Sequence, residues 1–240
     1  MEVTLAEMVR NGTMSAEIAA VLWSAVDEQV SFLTVAIPRF AGKTTMSNAV
    51  LALRPPEVPL TWVDGSVSQI ERLKQERRGG YLAVQEFDRV PMPGYIWGEP
   101  VRRVFDCVVQ GGYSLQSVLH AASVEDGVRE VTEGNRVPDD HASVFKLVLY
   151  IERFGSGHRD FYRRLTDVFE VQRVDAGRPV GQSLFRWRKD GDRFEQLAEP
   201  QQWGRDGAGL ARRAELFRAL AAEGRTSTNE VTAAVNQYRA

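Results

Sequence analysis

Residues 31–50 constrain the fold of this chain more than any other stretch. They read SFLTVAIPRFAGKTTMSNAV, an apolar segment of strand length followed by Gly42, Lys43, Thr44 and Thr45 and then by a segment with helical character. When an apolar strand runs through a glycine-containing loop into a helix, backbone N–H groups at the helix N-terminus form an anion-binding concavity. The stretch therefore predicts a strand–loop–helix unit of an α/β protein.

The tetrapeptide Gly-Lys-Thr-Thr predicts a phosphate-binding loop at residues 37–45. A lysine at the start of the helix reaches the outer phosphates of a nucleotide, and the hydroxyl group of the next residue, Thr44, coordinates Mg²⁺. We therefore expect ATP and Mg²⁺ as ligands. The predicted nucleotide-binding residues are Pro38, Arg39, Phe40, Ala41, Gly42, Lys43, Thr44 and Thr45.

Two residues depart from the usual composition of such a loop. Ile37 occupies the position of the usual first glycine, and a β-branched residue adopts a positive φ only at a cost. Phe40 adds bulk where the backbone normally approaches phosphate closely. The alternative interpretation is a glycine at a helix N-terminus followed by a solvated lysine.

The first half of the chain alternates between strand-like and helix-like segments. After a short helix that ends at Asn11-Gly12, helices are predicted at 16–29 (with Ser15 as N-cap), 43–53, 102–110 and 124–133, and strands at 31–37, 59–63, 81–87, 95–97 and 115–119. Such alternation is typical of three-layer α/β proteins with parallel strands.

The second half of the chain has a different sequence pattern. Residues 144–154, 161–174 and 182–187 predict antiparallel strands, joined by a Gly-Ser-Gly turn at 155–157 and an Asp-Ala-Gly turn at 175–177. Two segments with helical spacing, 206–223 and 228–238, follow and predict a small helical cap. We therefore divide the chain into a core at 1–200, with antiparallel strands at 144–187, and a C-terminal cap at 201–240.

Composition excludes several classes of function. The chain has 30 basic and 32 acidic residues and a net charge of -2, so nothing in the balance favours nucleic acid as a partner. The single Cys107 excludes an internal disulfide, and the three histidines are too scattered for a zinc site. The N-terminus lacks a signal-peptide pattern, and no apolar run approaches the roughly 20 residues of a membrane span. We expect a soluble, cytoplasmic protein that reaches a membrane only through a partner.

These motifs together resemble the ATPase family of type II secretion, type IV secretion and type IV pilus assembly, whose loop commonly reads Gly-Pro-Thr-Gly-Ser-Gly-Lys-Thr-Thr. Pro38 and residues 42–45 match that loop. Residues 60–64 are similar to the family's strand ending in an acidic pair, residues 95–99 to its Walker B segment, and residues 111–121 to its histidine box. The resemblance implies a RecA-type P-loop NTPase core.

The resemblance also implies roles for individual side chains. Glu99 is the implied catalytic base, and the alternative is a surface acid at a helix start. His120 is implied to sense the γ-phosphate or to bond Glu99, and the alternative is a structural histidine. Asp64, together with Thr44, is implied to hold the metal, and the alternative is a strand-end turn formed with Gly65.

The chain departs from the family at further positions. Val63, Gly94 and Val101 replace the first acid of the pair, the Walker B aspartate and an arginine, for which Arg102 or Arg103 is a candidate substitute. The family's N-terminal domain, which supplies arginines to the nucleotide, has no counterpart among these 240 residues.

Two functions follow from these matches and departures. The first is a motor ATPase, a hexamer by analogy, that drives a secretion or Tad/Flp-type pilus assembly system together with an inner-membrane platform protein. The second is a catalytically impaired nucleotide-binding or scaffolding subunit of the same machinery. A nucleic-acid-dependent ATPase is disfavoured, because the basic residues are mixed with acids and lack an aromatic stacking pattern.

Overall fold

The computed structural model describes residues 2–37, 40–155 and 160–239. The helices are α1 (Leu5–Arg10), α2 (Ala16–Asp27), α3 (Lys43–Leu51), α4 (Val67–Glu76), α5 (Glu99–Gly111), α6 (Val124–Arg129), α7 (Asp139–Ala142), α8 (Gly207–Ala222) and α9 (Thr228–Arg239). The strands are β1 (Phe32–Ala36), β2 (Leu60–Trp62), β3 (Tyr81–Ala83), β4 (Glu86–Phe87), β5 (Tyr95–Ile96), β6 (Ser114–His120), β7 (Leu147–Phe154), β8 (Tyr162–Asp175), β9 (Arg178–Arg188) and β10 (Arg193–Gln196).

One mixed sheet contains all of these strands, in the order β10-β9-β8-β7-β1-β6-β3-β2, with β4 pairing with β5 and β6. Strand β1 lies between β6 and β7 and is parallel to both. The pairs β2–β3, β3–β6 and β4–β6 are also parallel, whereas β7, β8, β9 and β10 pair antiparallel in succession. The predicted change from a parallel to an antiparallel half is confirmed.

Helices cover both faces of the sheet. The side chains of β1 show this, because they alternate between two hydrophobic clusters that contain different helices. Phe32 and Ala36 face the cluster that contains α2, α3 and α8, whereas Leu33 and Val35 face the cluster of α4, α5 and α6. On the first face, the Ser47 hydroxyl of α3 donates to Thr34 Oγ1 at 2.9 Å. The chain is therefore an α/β protein with a large central sheet, as the alternating sequence pattern predicts.

Local sequence signals explain two of the predicted elements. Ser15 Oγ accepts a hydrogen bond from Ile18 N at 3.3 Å, so the predicted N-cap of α2 is confirmed. The β8–β9 hairpin turns through Ala176 and Gly177, which have φ values of 48° and 74°. Two consecutive positive φ angles suit a tight hairpin, so the Asp-Ala-Gly turn is confirmed as well. The predicted Gly-Ser-Gly turn includes Ser156 and Gly157, which lie outside the described residues.

Several elements differ from the prediction. The single strand expected at 81–87 is divided into β3 and β4, because the pairing partner changes after Val84, whose N–H donates to Gln116 O at 2.9 Å. The helix expected at 124–133 ends as a π-helical turn at Glu130–Gly134. Helix α4 was not predicted, since only Ile70 and Leu73 of its side chains are buried.

The C-terminal helices pack against the N-terminal helices. Trp23 of α2 makes edge contacts with Phe217 of α8 and Tyr238 of α9, with ring centroids 5.9 and 4.9 Å apart. Buried residues of α8 and α9 belong to the same hydrophobic cluster as β1 and β7. The boundary between residues 200 and 201 stays a prediction. No helix in the described parts of the chain is both long and apolar enough to span a bilayer.

Candidate phosphate-binding site

Helix α3 begins directly after the predicted phosphate-binding loop. Gly42 is the N-cap residue, has a φ of 103° and supplies no side-chain hydrogen bond to the helix. The first intrahelical bond joins Met46 N to Gly42 O at 2.8 Å, so the N–H groups of residues 43–45 precede it. These groups lie at the positive end of the helix dipole, which suits an anion.

Lys43 belongs to a compact polar cluster with Glu86 and His120. Its Nζ atom lies 3.2 Å from Glu86 Oε1, and 3.2 and 3.1 Å from Nδ1 and Nε2 of His120. His120 Nε2 lies 3.2 Å from Glu86 Oε1. The lysine and glutamate side chains are 7% and 6% exposed, so the charges of this pair interact away from bulk water.

The topology of the sheet brings these side chains together. His120 ends β6 and is in register with Ala36 at the end of β1, immediately before the loop. Glu86 begins β4, in which Phe87 pairs with Leu119 of β6. Carboxyl ends of parallel strands meet at one edge of a sheet, which is where α/β proteins bind ligands.

A cavity of about 430 Å³ opens between the loop and this cluster. Residues 40–45 line one side, and Glu86, Asp88, His120 and Arg163 line another. The volume lies in the range of small-molecule sites. This edge of the sheet therefore has the space, the cation and the helix terminus that a phosphate group requires.

Three of the lining side chains also suit a divalent cation. One ligand atom from each of Glu86, Asp88 and His120 lies within 4.8 Å of the other two. Mg²⁺ is usually held by one or two carboxylates together with substrate phosphates, and Thr44 lines the same cavity. The residues present therefore fit Mg²⁺ bound together with a phosphate ligand.

The structure places six of the eight predicted nucleotide-binding residues, 40–45, on the wall of this cavity, and His120 with them. The other two, Pro38 and Arg39, lie outside the described residues. Phe40 is 82% exposed, so its ring does not fill the space expected for the anion. Its φ of 66° is a left-handed conformation, which is strained for a bulky residue.

Glu99 and Asp64 lie away from the cavity. Glu99 is the first residue of α5, its side chain is 72% exposed, and its Oε1 atom lies 2.5 Å from Arg103 Nη1. Asp64 Oδ1 accepts from Ser66 N at 2.9 Å, and the hydrogen bonds from Ser66 lower the pKa of Asp64. Neither acid lines the cavity around Lys43, so the geometry gives no support to the predicted catalytic role of Glu99 or the predicted metal role of Asp64.

The acid that the structure places beside the loop is Glu86, which sequence reasoning missed. A signal for it exists, because residues 81–87 form an apolar, strand-like stretch and a carboxylate is almost never buried unless it is paired. Asp88, two residues later, and Arg163, from the antiparallel half, were also missed.

A second cavity adjoins the first along α3. It has a volume of about 270 Å³ and shares Thr44 and Thr45 with the cavity around Lys43. Its other walls come from later residues of α3, from the N-terminal segment 2–5, and from α9, where Thr228 and Thr232 face it. The two cavities together extend along the first turns of α3.

The fold and this site define an α/β protein with a strand–loop–helix unit and a polar cavity at the carboxyl edge of its parallel strands. No protein-family profile matches the sequence, and no curated protein sequence does either. Among solved structures, the VirB11 ATPase from the Brucella suis type IV secretion system, in complex with sulphate, is similar at 15% identity and a TM-score of 0.43, over 64% of this chain and 52% of that one. The chain thus spans about half the length of that structure.

Proposed function

We propose that this protein binds a nucleoside triphosphate, with the outer phosphates on the loop at residues 40–45. The single observation that carries this proposal is the position of Lys43. Its ammonium group is on the first residue of α3 and contacts Glu86 and His120 at the wall of a cavity large enough for a phosphate chain. The motif in the sequence and the geometry at the sheet edge both favour a phosphate ligand.

Each side chain of the cluster then has a role. An arriving phosphate competes with Glu86 for the Lys43 ammonium, because both are anions within reach of one cation. Once the lysine binds phosphate, the Glu86 carboxylate accepts a proton from, or orients, the attacking water. His120, which contacts both side chains, holds the relative position of lysine and acid.

Mg²⁺ bound with the nucleotide would neutralise phosphate charge, and Thr44 and Asp88 are the residues that would hold it.

The nucleoside is assigned to the second cavity. Thr44 and Thr45 line both cavities, so a ligand whose phosphates contact the start of α3 extends directly along this helix. The threonine hydroxyl groups of α9 and the apolar side chains of the walls suit a base and a ribose.

The biological role belongs to the same proposal. We assign the protein to a secretion or type IV pilus-like assembly machinery, as a cytoplasmic, hexameric motor subunit that works with an inner-membrane platform protein and has a helical cap after residue 200. The order of the sequence motifs supports this assignment. The alternative, a scaffolding subunit that binds nucleotide without turnover, is favoured by the strained backbone of Phe40 and by the engagement of Lys43 with Glu86.

Calorimetric titration with Mg-ATP tests the proposal. We expect saturable binding by the wild-type protein and at least about tenfold weaker binding by Lys43→Ala, which corresponds to about 1.4 kcal/mol. Lys189→Ala removes an exposed lysine that lies between β9 and β10 and is the matched control, with unchanged affinity. A folded wild-type protein with no affinity for Mg-ATP would refute the proposal.

A further inference from the structure

Arg163 of β8 crosses from the antiparallel half of the sheet to the phosphate loop. Its Nη2 atom donates to Phe40 O at 3.1 Å. Its Cδ and Nε atoms lie 3.2 Å from the position that a Cβ atom on Gly42 would occupy. The guanidinium group therefore lies directly against the loop and on the wall of the cavity around Lys43.

The surroundings of Arg163 contain cationic and aromatic groups. In the described part of the chain, no carboxylate lies within ion-pairing distance of Arg163, and its buried Nε atom has no hydrogen-bond partner. Arg153 and Arg163 both contact the ring of Phe161, with guanidinium carbons 4.4 and 4.7 Å from its centroid. Burial, followed by the charge of Arg153, lowers the pKa of Arg163.

An arginine in such surroundings remains charged, because a guanidinium group does not lose its proton in a protein. Arg163 is partly buried, and partial burial without an anionic partner carries a desolvation cost that an anion in the adjacent cavity would reduce. Phosphate is the anion whose geometry a guanidinium group matches best, with two parallel N–H donors. The buried Nε atom and the Nη2 atom share one edge of the guanidinium group, and that edge lies against the loop.

We propose that Arg163 contacts the terminal phosphate of the nucleotide within the same chain, exchanging its bond to Phe40 O for phosphate oxygens. The inference rests on the proposed function and adds a source of positive charge for the transition state of phosphoryl transfer. It also gives the antiparallel half of the sheet a direct role, since β8 then senses whether the terminal phosphate is present.

Other arginines near the predicted motifs are engaged elsewhere. Arg102 and Arg103 donate to backbone carbonyl oxygens at 2.8 and 2.9 Å. Arg164, the neighbour of Arg163, binds Asp192 through two hydrogen bonds of 2.7 and 2.6 Å. Of these four, Arg163 alone lines the cavity.

The test compares affinities for a non-hydrolysable ATP analogue and for ADP. If Arg163 contacts the terminal phosphate, Arg163→Ala lowers the affinity for the triphosphate analogue by at least about tenfold and the affinity for ADP by less than about threefold. Arg163→Gln retains an N–H donor for Phe40 O and lacks the charge, so we expect the same selective loss. Arg173→Ala, on an exposed part of the same strand, is the matched control and leaves both affinities unchanged.

Three results would overturn the inference. Equal losses for the two nucleotides, or no loss for either, would exclude a contact with the terminal phosphate. Full triphosphate affinity in Arg163→Gln would show that Arg163 acts only by holding the loop. A wild-type protein that binds neither nucleotide would refute the proposed function itself, whereas the first two results leave nucleotide binding intact.

Discussion

Lys43 Nζ lies 3.2 Å from Glu86 Oε1, in an ion pair whose two side chains are almost completely buried. A lysine near the start of a phosphate-binding helix normally serves a ligand, and here it contacts an acid from β4. The pair keeps a buried carboxylate neutralised while the site holds no phosphate, and it keeps the ammonium group close to where the phosphate would bind. Competition between acid and phosphate for one cation is the central feature of the site.

Removing one member of this pair should destabilise the fold. Lys43→Met leaves the buried Glu86 carboxylate with His120 as its remaining basic neighbour in the cluster, and we expect the free energy of unfolding to fall by roughly 3 kcal/mol. Adding Glu86→Gln removes the uncompensated charge and should recover part of that loss. Chemical denaturation measures the two single variants and the double variant, and a double variant as unstable as the sum of the two single variants would show that the residues do not interact.

The identity of the catalytic acid separates the sequence-based prediction from the structure. We expect Glu86→Gln to lower ATP turnover by at least about 100-fold while it retains ATP binding, because the general base is lost whereas Lys43 and the phosphate-binding loop are unchanged. Glu99→Gln is the control and should change turnover by less than about threefold, since its ion pair with Arg103 is exposed. Steady-state phosphate release measures both. The reverse pattern would restore Glu99 as the base, and equal background rates in the wild type and Glu86→Gln would favour the scaffolding function.

Two substitutions in the loop should act in opposite directions on stability. Gly42→Ala places a Cβ atom on a residue with a φ of 103°, 3.2 Å from the Arg163 side chain, so we expect the free energy of unfolding to fall by about 1–2 kcal/mol. Phe40→Gly removes the strain of a phenylalanine in a left-handed conformation, and the lost ring is exposed. Glycine also has more conformational freedom in the unfolded state, which offsets part of the gain, so we expect the free energy of unfolding to rise by roughly 0.5 kcal/mol.

Thermal unfolding of these two variants is compared with that of Gly207→Ala, where an added Cβ meets no atom within 4 Å. Destabilisation by Phe40→Gly as large as that by Gly42→Ala would mean that the Phe40 backbone conformation is not strained.

The position of the nucleoside is tested by filling the second cavity. Thr232→Trp adds an indole to an exposed position that lines this cavity, and we expect at least about tenfold weaker binding of ATP with unchanged binding of inorganic triphosphate. Ala233→Trp adds the same group at the next residue of α9, also exposed and not lining the cavity, and should bind both ligands as the wild type does. Equal loss of both ligands in Thr232→Trp would place the nucleoside elsewhere.

Local sequence patterns predicted much of the fold. The strand, loop and helix at 31–53, the Ser15 cap and the change to antiparallel strands depend on apolar spacing and turn residues, which are local properties. The division of the segment 81–87 was missed because it depends on which neighbour each strand pairs with. Val84 bonds to β6 and Glu86 begins a strand that pairs with β5, and neither pairing can be read from the segment alone.

The site was predictable where one local motif defines it. Residues 42–45 and His120 were identified from motifs, and the structure places them together. Glu99 was selected because it follows a strand-like segment, but the acid that contacts Lys43 is Glu86, the first residue of β4. Arg163 is 123 residues away from Phe40 in sequence, and only the order of strands in the sheet brings them into contact.

The most direct test of the account is a crystal structure with Mg²⁺ and a non-hydrolysable ATP analogue. We predict that the outer phosphates lie within about 2.7–3.2 Å of Lys43 Nζ and of the N–H groups of residues 43–45, and that Nζ has moved from Glu86 to the phosphate. A structure in which Lys43 remains paired with Glu86 while the nucleotide binds elsewhere, or not at all, would contradict the account.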